Sequence, residues 1–223
     1  MMTGVLLAAG ASARMGSPKA LARQARMSYM ARGIRHLWYA CTNVVAVLGA
    51  NAPAIRRAAE EEFARLVKSG ALHEDLLDAH RHGAAGLEVH FELNPKWRSG
   101  MFSSVQLGLD RALALKPEGI LVLPVDHPSV RPETMADLAT VLRLALQACR
   151  SDADRRRFAY ALVPRYQGRR GHPVALSPAL ARAVVRDRQA EDFSDSLRRH
   201  ARLVGYLDVR DAGVVRNVNR LGD

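Results

Sequence analysis

Strand-length apolar runs alternate with segments of helical apolar spacing, and this alternation constrains the fold more than any other feature of the sequence. The clearest apolar runs of strand length occupy residues 3–9, 43–49, 119–126 and 157–166. Segments whose apolar residues recur at helical spacing lie between or after them, including 27–39, 52–70, 101–115 and 132–150. A short extra helix with a loop is expected within the polar segment 73–86. Strands that alternate with helices are typical of α/β folds, because crossover helices make successive strands parallel. We therefore predict a three-layer α/β/α sandwich around a mostly parallel sheet.

The length and composition indicate one soluble domain. At 223 residues, with 48% hydrophobic and 25% charged residues and no linker or repeat, the chain suits a single domain over 1–223. It contains no apolar run of about 18 residues, so we expect no membrane contact, and no signal segment is expected at the N-terminus. Cys41 and Cys149 lie far apart, without metal-binding spacing. We therefore expect a reduced, cytoplasmic location.

The net charge of +11 leaves two interpretations open. A basic balance favours anionic partners such as nucleotides, phosphorylated small molecules or nucleic acid. Alternatively, arginines scattered in stretches such as "IRRAAEEEFARL" and "SDADRRRF" simply form solvated faces. Nucleic-acid binding needs aromatic residues among the basic ones, but aromatics make up 5% of the chain and do not interleave with the arginine runs. We therefore expect small anionic ligands and no nucleic acid.

The stretch "GVLLAAGASARMGSPKAL", residues 4–21, carries an apolar strand into a loop of small residues. Its spacing matches neither the P-loop nor the dinucleotide fingerprint. Small residues still let backbone N–H groups approach a base and a phosphate chain, and Arg14 and Lys19 add positive charge. The loop follows the first strand, where open α/β sheets bind ligands. The predicted nucleotide-binding residues here are Leu7, Ala8, Ala9, Gly10, Ser12, Arg14 and Lys19. An ordinary strand-to-helix turn with incidental basic residues is the alternative.

This stretch resembles the signature of the MobA-like nucleotidyltransferase superfamily, and within it most closely the molybdenum cofactor cytidylyltransferases. The resemblance implies a Rossmann-like fold of the nucleotide-diphospho-sugar transferase, or GT-A, type. It also implies Mg²⁺-dependent transfer of a nucleoside monophosphate to a phosphorylated acceptor, with release of pyrophosphate. On this basis the catalytic residues are Arg14, Lys19 and Asp126.

A second stretch, "NPKWRSGMFSSVQLGL" at 94–109, resembles the family pattern N-P-x-W-x-x-G-M-x-x-S-x-x-x-G-L. Its glycine precedes a predicted helix, so two serines fall in the first turn, where hydroxyl and N–H groups can meet a base or a phosphate. Capping of that helix is the alternative role for the serines. The predicted nucleotide-binding residues in this stretch are Asn94, Gly100, Ser103 and Ser104.

Asp126 follows the strand in "ILVLPVDHPSV". The resemblance implies that this carboxylate holds Mg²⁺ on the triphosphate, and Mg²⁺ does take few protein carboxylates and several phosphate oxygens. A turn or helix cap is the alternative role. His127 is interpreted as incidental.

The stretch "YQGRRGHPVALS" resembles the family segment G-x-R-G-H-P-V. A glycine-flanked arginine pair beside a histidine suits an anionic acceptor such as a pterin monophosphate, so Arg170, Gly171 and His172 are predicted to bind the acceptor. A plain basic hairpin turn is the alternative.

The C-terminal "NVNRLGD" departs from the family pattern D-x-D-T-P-x-D-L. Asn217 and Asn219 stand where the pattern has acidic residues. An Asn can ligate a metal through its carbonyl oxygen, so Asn219 joins Asp126 as a predicted metal ligand, although Mg²⁺ should bind more weakly.

The resemblance favours transfer of CMP from CTP to molybdopterin, since "LAAG" is the cytidylyltransferase form and the Cβ of Ala9 narrows the base pocket against a purine. GTP as donor and a sugar phosphate as acceptor stay open. A weakly active carrier that hands nucleotide and cofactor to a molybdoenzyme is a further alternative, motivated by Asn217 and Asn219.

Overall fold

The computed structural model describes residues 1–11, 17–69 and 87–218. Its strands are β1 (Met2–Ala8), β2 (Arg23–Gln24), β3 (Met27–Ser28), β4 (Asn43–Leu48), β5 (Glu88–Leu93), β6 (Gly119–Pro124), β7 (Tyr160–Tyr166), β8 (Arg169–Arg170), β9 (Val174–Leu176) and β10 (Leu203–Asp208). Its helices are α1 (Tyr29–Trp38), α2 (Ala52–Lys68), α3 (Met101–Ala114), α4 (Pro132–Gln147), α5 (Asp152–Arg157), α6 (Pro178–Arg186) and α7 (Phe193–His200). In the described part of the chain, no helix is long and apolar enough to cross a membrane.

The main sheet has the strand order β10-β7-β9-β6-β1-β4-β5, and β8 pairs with β7. The pairs β1–β4, β1–β6, β4–β5 and β7–β10 are parallel. β9 is antiparallel to both β6 and β7, so β6 and β7 themselves run in the same direction. The carboxyl ends of β1, β4, β5, β6, β7 and β10 therefore share one edge of the sheet. The predicted mostly parallel sheet is confirmed.

Helices cover both faces of this sheet. Along β1, Leu6 and Ala8 belong to a core built with residues of α1, α2 and α4. Val5 and Leu7 point to the other face, where they belong to a core built with residues of α3, α6 and α7. Because successive strand residues alternate between faces, a fully apolar strand such as β1 can supply both cores. The predicted three-layer arrangement is confirmed.

Two element boundaries differ from the sequence prediction for local reasons. The helix expected over 27–39 begins at Tyr29, because Met27–Ser28 pairs with Arg23–Gln24 in a small hairpin. Ser28 then caps α1, and its side chain accepts a hydrogen bond from Ala31 N. The strand expected from residue 157 begins at Tyr160, since the charged run before it forms α5. The short helix expected within 73–86 lies outside the described residues.

Candidate active site

Lys19 and Asp126 meet at the carboxyl edge of the sheet. Asp126 lies two residues beyond β6, and Lys19 begins a 3₁₀ turn after the first loop. Their side chains form an ion pair with Nζ to Oδ2 at 3.3 Å, although they are 107 positions apart. The two side chains are 17% and 25% exposed, so a solvent-borne anion can still reach them. The structure thus brings together two of the three predicted catalytic residues, and Arg14 lies outside the described residues.

The first loop leaves β1 beside the ends of its neighbouring strands. Leu7, Ala8 and Ala9 are buried, and Gly10 is exposed. The carbonyl of Leu7 accepts a hydrogen bond from Val125 N at 3.0 Å, and that of Ala9 accepts one from Ala50 N at 3.2 Å. The predicted nucleotide-binding residues of this loop therefore start at the sheet edge, next to Asp126. Ser12 lies outside the described residues.

Trp97 lies close over this edge. A Cβ on Gly49 would stand 2.6 Å from Trp97 Cβ and would also collide with the carbonyl of Ala9. Only a glycine lets these three backbone segments approach each other so closely. The Arg98 guanidinium lies 4.4 Å from the centroid of the Trp97 ring. Trp97 therefore forms a half-buried wall beside the predicted base pocket.

Asn94 forms side-chain hydrogen bonds with both predicted serines. Its buried side chain donates from Nδ2 to Ser103 Oγ and to Ser104 Oγ, each at 2.9 Å. Its Oδ1 accepts from Lys96 N at 2.9 Å. Gly100, with φ of 108° in a conformation that favours glycine, then starts α3. Four predicted nucleotide-binding residues thus form one rigid corner, in which Ser104 is buried and Ser103 lies nearer the surface.

A buried aspartate that sequence reasoning missed fixes the C-terminal segment. Asp211 accepts from Arg131 N and Thr134 Oγ1 through Oδ2, each at 2.8 Å, and from Gly213 N through Oδ1 at 2.9 Å. A Cβ on Gly213 would lie 2.7 Å from Val130 N. Asp211 therefore clamps the 3₁₀ turn Ala212–Val215 against the start of α4. The stretch "RDAGVV", with an Asp two residues before a Gly, was the available signal.

The clamped turn holds two histidines next to Asp126. Gly213 O lies 3.4 Å from His127 Nδ1, and Val214 O accepts from His172 N at 2.8 Å. The two imidazole rings lie 4.8 Å apart, and His127 Nε2 is 4.0 Å from Asp126 Oδ1. Among the predicted acceptor residues, His172 thus lies near the predicted metal ligand. His127, interpreted from the sequence as incidental to the chemistry, is buried between this turn and Asp126.

Burial keeps both imidazoles neutral near pH 7. It lowers the pKa of His127, against the opposing effect of the Asp126 carboxylate. It lowers the pKa of His172 to about 4, and the neighbouring His127 adds to that effect. His172 Nδ1 is buried and has no hydrogen-bond partner among the described groups. A buried ring nitrogen without a hydrogen-bond partner lowers the stability of the fold. The packing around the His172 ring must therefore hold it in this place.

The C-terminal segment passes directly beside Asp126. Val218 N donates to the backbone carbonyl of Asp126 at 2.8 Å. Val218 is buried, whereas Asn217 is exposed. The described part of this segment, up to Val218, therefore lies beside the predicted metal ligand Asp126. Asn219 itself lies outside the described residues.

The predicted acceptor arginine has an aromatic neighbour that sequence reasoning also missed. Arg170, on β8, lies 5.0 Å from the centroid of the Tyr206 ring, and Arg165, on β7, lies 4.9 Å from the same centroid. Arg165 pairs with Asp208 through two bonds of 3.0 and 2.8 Å. Arg170 has no carboxylate partner in the described part of the chain. Tyr206 thus stacks with one compensated and one uncompensated guanidinium, at the sheet edge that carries Asp126.

Asp126 is placed to contribute to a divalent-cation site. Over residues 1–11, 17–69 and 87–218, no three or more His, Cys, Asp or Glu side chains are grouped to hold a metal. Zinc sites need three or four such protein ligands. Mg²⁺ binds through one or two carboxylates and takes its other ligands from substrate phosphates and water. Asp126 is a carboxylate of this kind, and it is partly exposed at the sheet edge.

The comparisons with known proteins identify the family. A family model described as the MobA-like NTP transferase domain matches residues 4–203. The chain therefore belongs to the MobA-like NTP transferase family, as the resemblance of its motifs indicates. Nicotine blue oxidoreductase from Paenarthrobacter nicotinovorans is 32% identical to it over 229 residues, which cover 98% of this chain and 92% of that protein.

Solved structures share the fold. Rv0371c from Mycobacterium tuberculosis H37Rv superposes with a TM-score of 0.64 at 22% identity, covering 94% of this chain and 88% of that chain. Its complex with manganese gives 0.59 at 21% identity, covering 93% and 88%. Molybdopterin-guanine dinucleotide biosynthesis protein A from Archaeoglobus fulgidus gives 0.56 at 17% identity, covering 99% and 93%. At these identities the likeness establishes the fold alone.

Proposed function

We propose that the protein is a Mg²⁺-dependent nucleotidyltransferase that moves CMP from CTP to the phosphate of molybdopterin. The observation that carries the proposal is the Lys19–Asp126 pair at the carboxyl edge of the sheet. These residues come from two separate family motifs, and they meet where open α/β sheets bind their ligands. A member of this structural class has been solved with manganese, which supports the use of a divalent cation.

The nucleotide lies along the first loop. The small residues from Leu7 to Gly10, with Ser12, let backbone groups contact the base and ribose, and Trp97 closes that side. Arg14 and Lys19 contact the phosphates. Lys19 can turn from Asp126 to the triphosphate, because the triphosphate carries more negative charge than one carboxylate. The Asn94 corner sets the start of α3 beside the same pocket. The Cβ of Ala9 leaves less room for a purine, which favours CTP over GTP.

The chemistry is a displacement at the α-phosphorus. An oxygen of the acceptor phosphate forms a bond to the α-phosphorus, the bond to the β-phosphate bridging oxygen breaks, and pyrophosphate leaves with that electron pair. The acceptor phosphate is already anionic near neutral pH, so no residue has to remove a proton. Lys19 and Arg14 stabilise the charge that develops on the phosphate oxygens. A bound Mg²⁺, held by Asp126 and Asn219, would supply further charge neutralisation of the triphosphate.

The acceptor phosphate binds at Arg170. Its uncompensated guanidinium faces the shared sheet edge, and Tyr206 restricts its plane through the stacking contact. Arg170 is two residues before His172, whose ring approaches His127 and hence Asp126. Because Arg165 is already neutralised by Asp208, Arg170 is the stronger anion contact of the two. A planar heteroaromatic acceptor such as a pterin can also stack on this pair.

Turnover with both substrates tests the proposal. In the presence of Mg²⁺, wild type should release pyrophosphate from CTP only when molybdopterin is added. Lys19→Met should lose most of this activity. Lys68→Met, at the exposed C-terminal end of α2, is the matched control and should retain it. If wild type forms no cytidylated product, the cytidylyltransferase proposal is overturned. If wild type forms product with GTP but not with CTP, the choice of nucleotide is overturned.

A second candidate function follows from the name of one relative. The relative that is 32% identical to this chain is named as an oxidoreductase. In this chain, Asn217 and Asn219 replace the acidic residues of the family pattern. We propose as the alternative that the site transfers a hydride from NADH or NADPH to an organic substrate. The name of that relative, nicotine blue oxidoreductase, supports a redox reaction. Loss of NADH or NADPH absorbance on adding nicotine blue, with no pyrophosphate formed from CTP, would favour this alternative over nucleotidyl transfer.

A further inference from the structure

A basic cavity lies at the edge of the sheet opposite the candidate active site. Residues 116–118 precede β6 and line this cavity, whereas Asp126 follows β6 at its other end. The volume is about 490 Å³, and the walls come from the ends of α3 and α4, from α5 and from the start of α6. The charged side chains that line it are Lys116, Arg143, Arg155, Arg156, Arg182 and Glu118.

The single carboxylate of the lining is already paired. Glu118 Oε2 lies 3.0 Å from the amino group of Met1 and 3.9 Å from Arg143 Nε. The hydrogen bond from that amino group also lowers the pKa of Glu118, which keeps the carboxylate ionised. In the described part of the chain, Arg155, Arg156 and Arg182 have no carboxylate partner. Arg155 nevertheless interacts electrostatically with Glu118. In the described part of the chain, Arg156 and Arg182 are therefore the arginines of this lining whose charge Glu118 does not offset.

Two of these arginines are held in place by backbone carbonyls. Arg155 Nε donates to Leu146 O at 3.1 Å, and a terminal nitrogen of Arg182 donates to Arg156 O at 3.2 Å. A guanidinium has five N–H donors, so each of these bonds fixes the group and leaves other donors for a ligand. Arg155 also caps the C-terminal carbonyls of α4, which is its structural role.

Apolar side chains complete the walls. Leu113, Pro117, Leu146 and Pro178 line the same cavity as the cations. A smaller cavity of about 330 Å³ shares Leu113 and Arg182 with it, and its other charged residues are Asp110, Arg111 and Arg186. Small-molecule sites are concave, about 300–1,000 Å³ in volume, and combine apolar walls with a few polar groups. A purely solvated arginine face needs no such enclosure.

We propose that this cavity binds a phosphorylated small molecule with a flat apolar body, of the size and chemistry of a nucleoside diphosphate. The uncompensated guanidinium groups would contact the phosphates, since Arg binds phosphate oxygens through paired N–H groups. The apolar walls would hold the base. The proposal does not depend on nucleotidyl transfer at the other edge of the sheet.

Calorimetric titration with ADP in the absence of Mg²⁺ tests this site. Wild type should show saturable binding, and Arg156→Ala/Arg182→Ala should raise the Kd at least about tenfold. Arg57→Ala, an exposed arginine of α2, is the matched control and should stay within about twofold of wild type. Lys19→Met weakens any nucleotide binding at the active site, so it should leave in place the saturable ADP binding that Arg156→Ala/Arg182→Ala weakens.

Three results would overturn the proposal. These are no saturable ADP binding by wild type, equal binding by the double variant, and loss of binding in Lys19→Met. Inorganic phosphate that binds as tightly as ADP would also overturn it, because the cavity would then be an ion site only. If the double variant does not fold, Arg156→Ala alone, at an exposed position, should weaken ADP binding at least about threefold, and an unchanged Kd contradicts the proposal.

Discussion

The Asp211 clamp gives a prediction that the structure specifies closely. Asp211→Asn keeps the size of the side chain but replaces one acceptor oxygen with an NH₂ donor. If the amide oxygen stays on Arg131 N and Thr134 Oγ1, the NH₂ group faces the N–H of Gly213. One charge-assisted hydrogen bond is lost, and a buried donor is left unsatisfied.

The expected cost follows from those changes. Hydrogen bonds to charged groups contribute about 1.5–3 kcal/mol, so Asp211→Asn should lower the free energy of unfolding by about 2–3 kcal/mol. For a domain of this size that corresponds to a fall in Tm of roughly 4–12 °C. The turn Ala212–Val215 also holds His127 and His172 beside Asp126. Nucleotidyl transfer should therefore fall about tenfold or more through misplacement at the sheet edge.

Urea unfolding followed by circular dichroism measures the change in the free energy of unfolding. Pyrophosphate release measures the change in nucleotidyl transfer. Asp137→Asn, on the exposed face of α4, is the matched control and should change the unfolding free energy by less than about 0.5 kcal/mol. If Asp211→Asn is as stable as Asp137→Asn, the hydrogen bonds of Asp211 do not stabilise the fold as proposed. If it is destabilised but fully active, the turn does not position the histidines.

Three further predictions concern separate parts of the molecule. The pKa of His172 is lowered to about 4 in the folded protein, so unfolding below pH about 6.5 takes up a proton and stability falls as the pH drops from there; an NMR titration midpoint for His172 near 6.5 would contradict this. Tyr206→Leu should raise the KM for the acceptor several-fold and leave the KM for CTP unchanged, whereas Tyr206→Phe should retain both values; equal effects of the two variants argue against stacking on Arg170. Gly49→Ala should destabilise the protein by about 1–3 kcal/mol through its collision with Trp97, and an unchanged urea midpoint would show that the edge can relax.

The alternation of strands and helices was predictable because each strand is a local pattern. The crossover helices then fix parallel pairing, and parallel pairing brings carboxyl ends to one edge. Lys19 and Asp126 are assigned to one site by the resemblance to the family, and the structure brings them together at this edge. A hairpin turn is one of the two interpretations of "YQGRRGHPVALS", and the antiparallel pairing of β9 with β7 agrees with it. The connection over 167–173 is too short for a crossover helix, which needs a dozen or more residues.

Other features depend on contacts that no local pattern contains. The Asp211 clamp joins the C-terminal turn to the start of α4 across 80 positions. The Tyr206 stacking depends on the register in which β10 pairs with β7, where Tyr206 lies opposite Val163. The burial of His127 depends on the clamped turn that covers it. Motif matching indicates the residues that touch a substrate, whereas the residues that hold them in place emerge only from the packing.

The central claim is that the Lys19–Asp126 edge binds a nucleoside triphosphate with Mg²⁺. Calorimetric titration of CTP and of GTP, each with and without Mg²⁺, against wild type and Asp126→Asn tests it most directly. The account predicts that CTP binds at least about tenfold more tightly than GTP to wild type and that Asp126→Asn removes the Mg²⁺ dependence. Absence of nucleotide binding, or an undiminished Mg²⁺ dependence in Asp126→Asn, would contradict it.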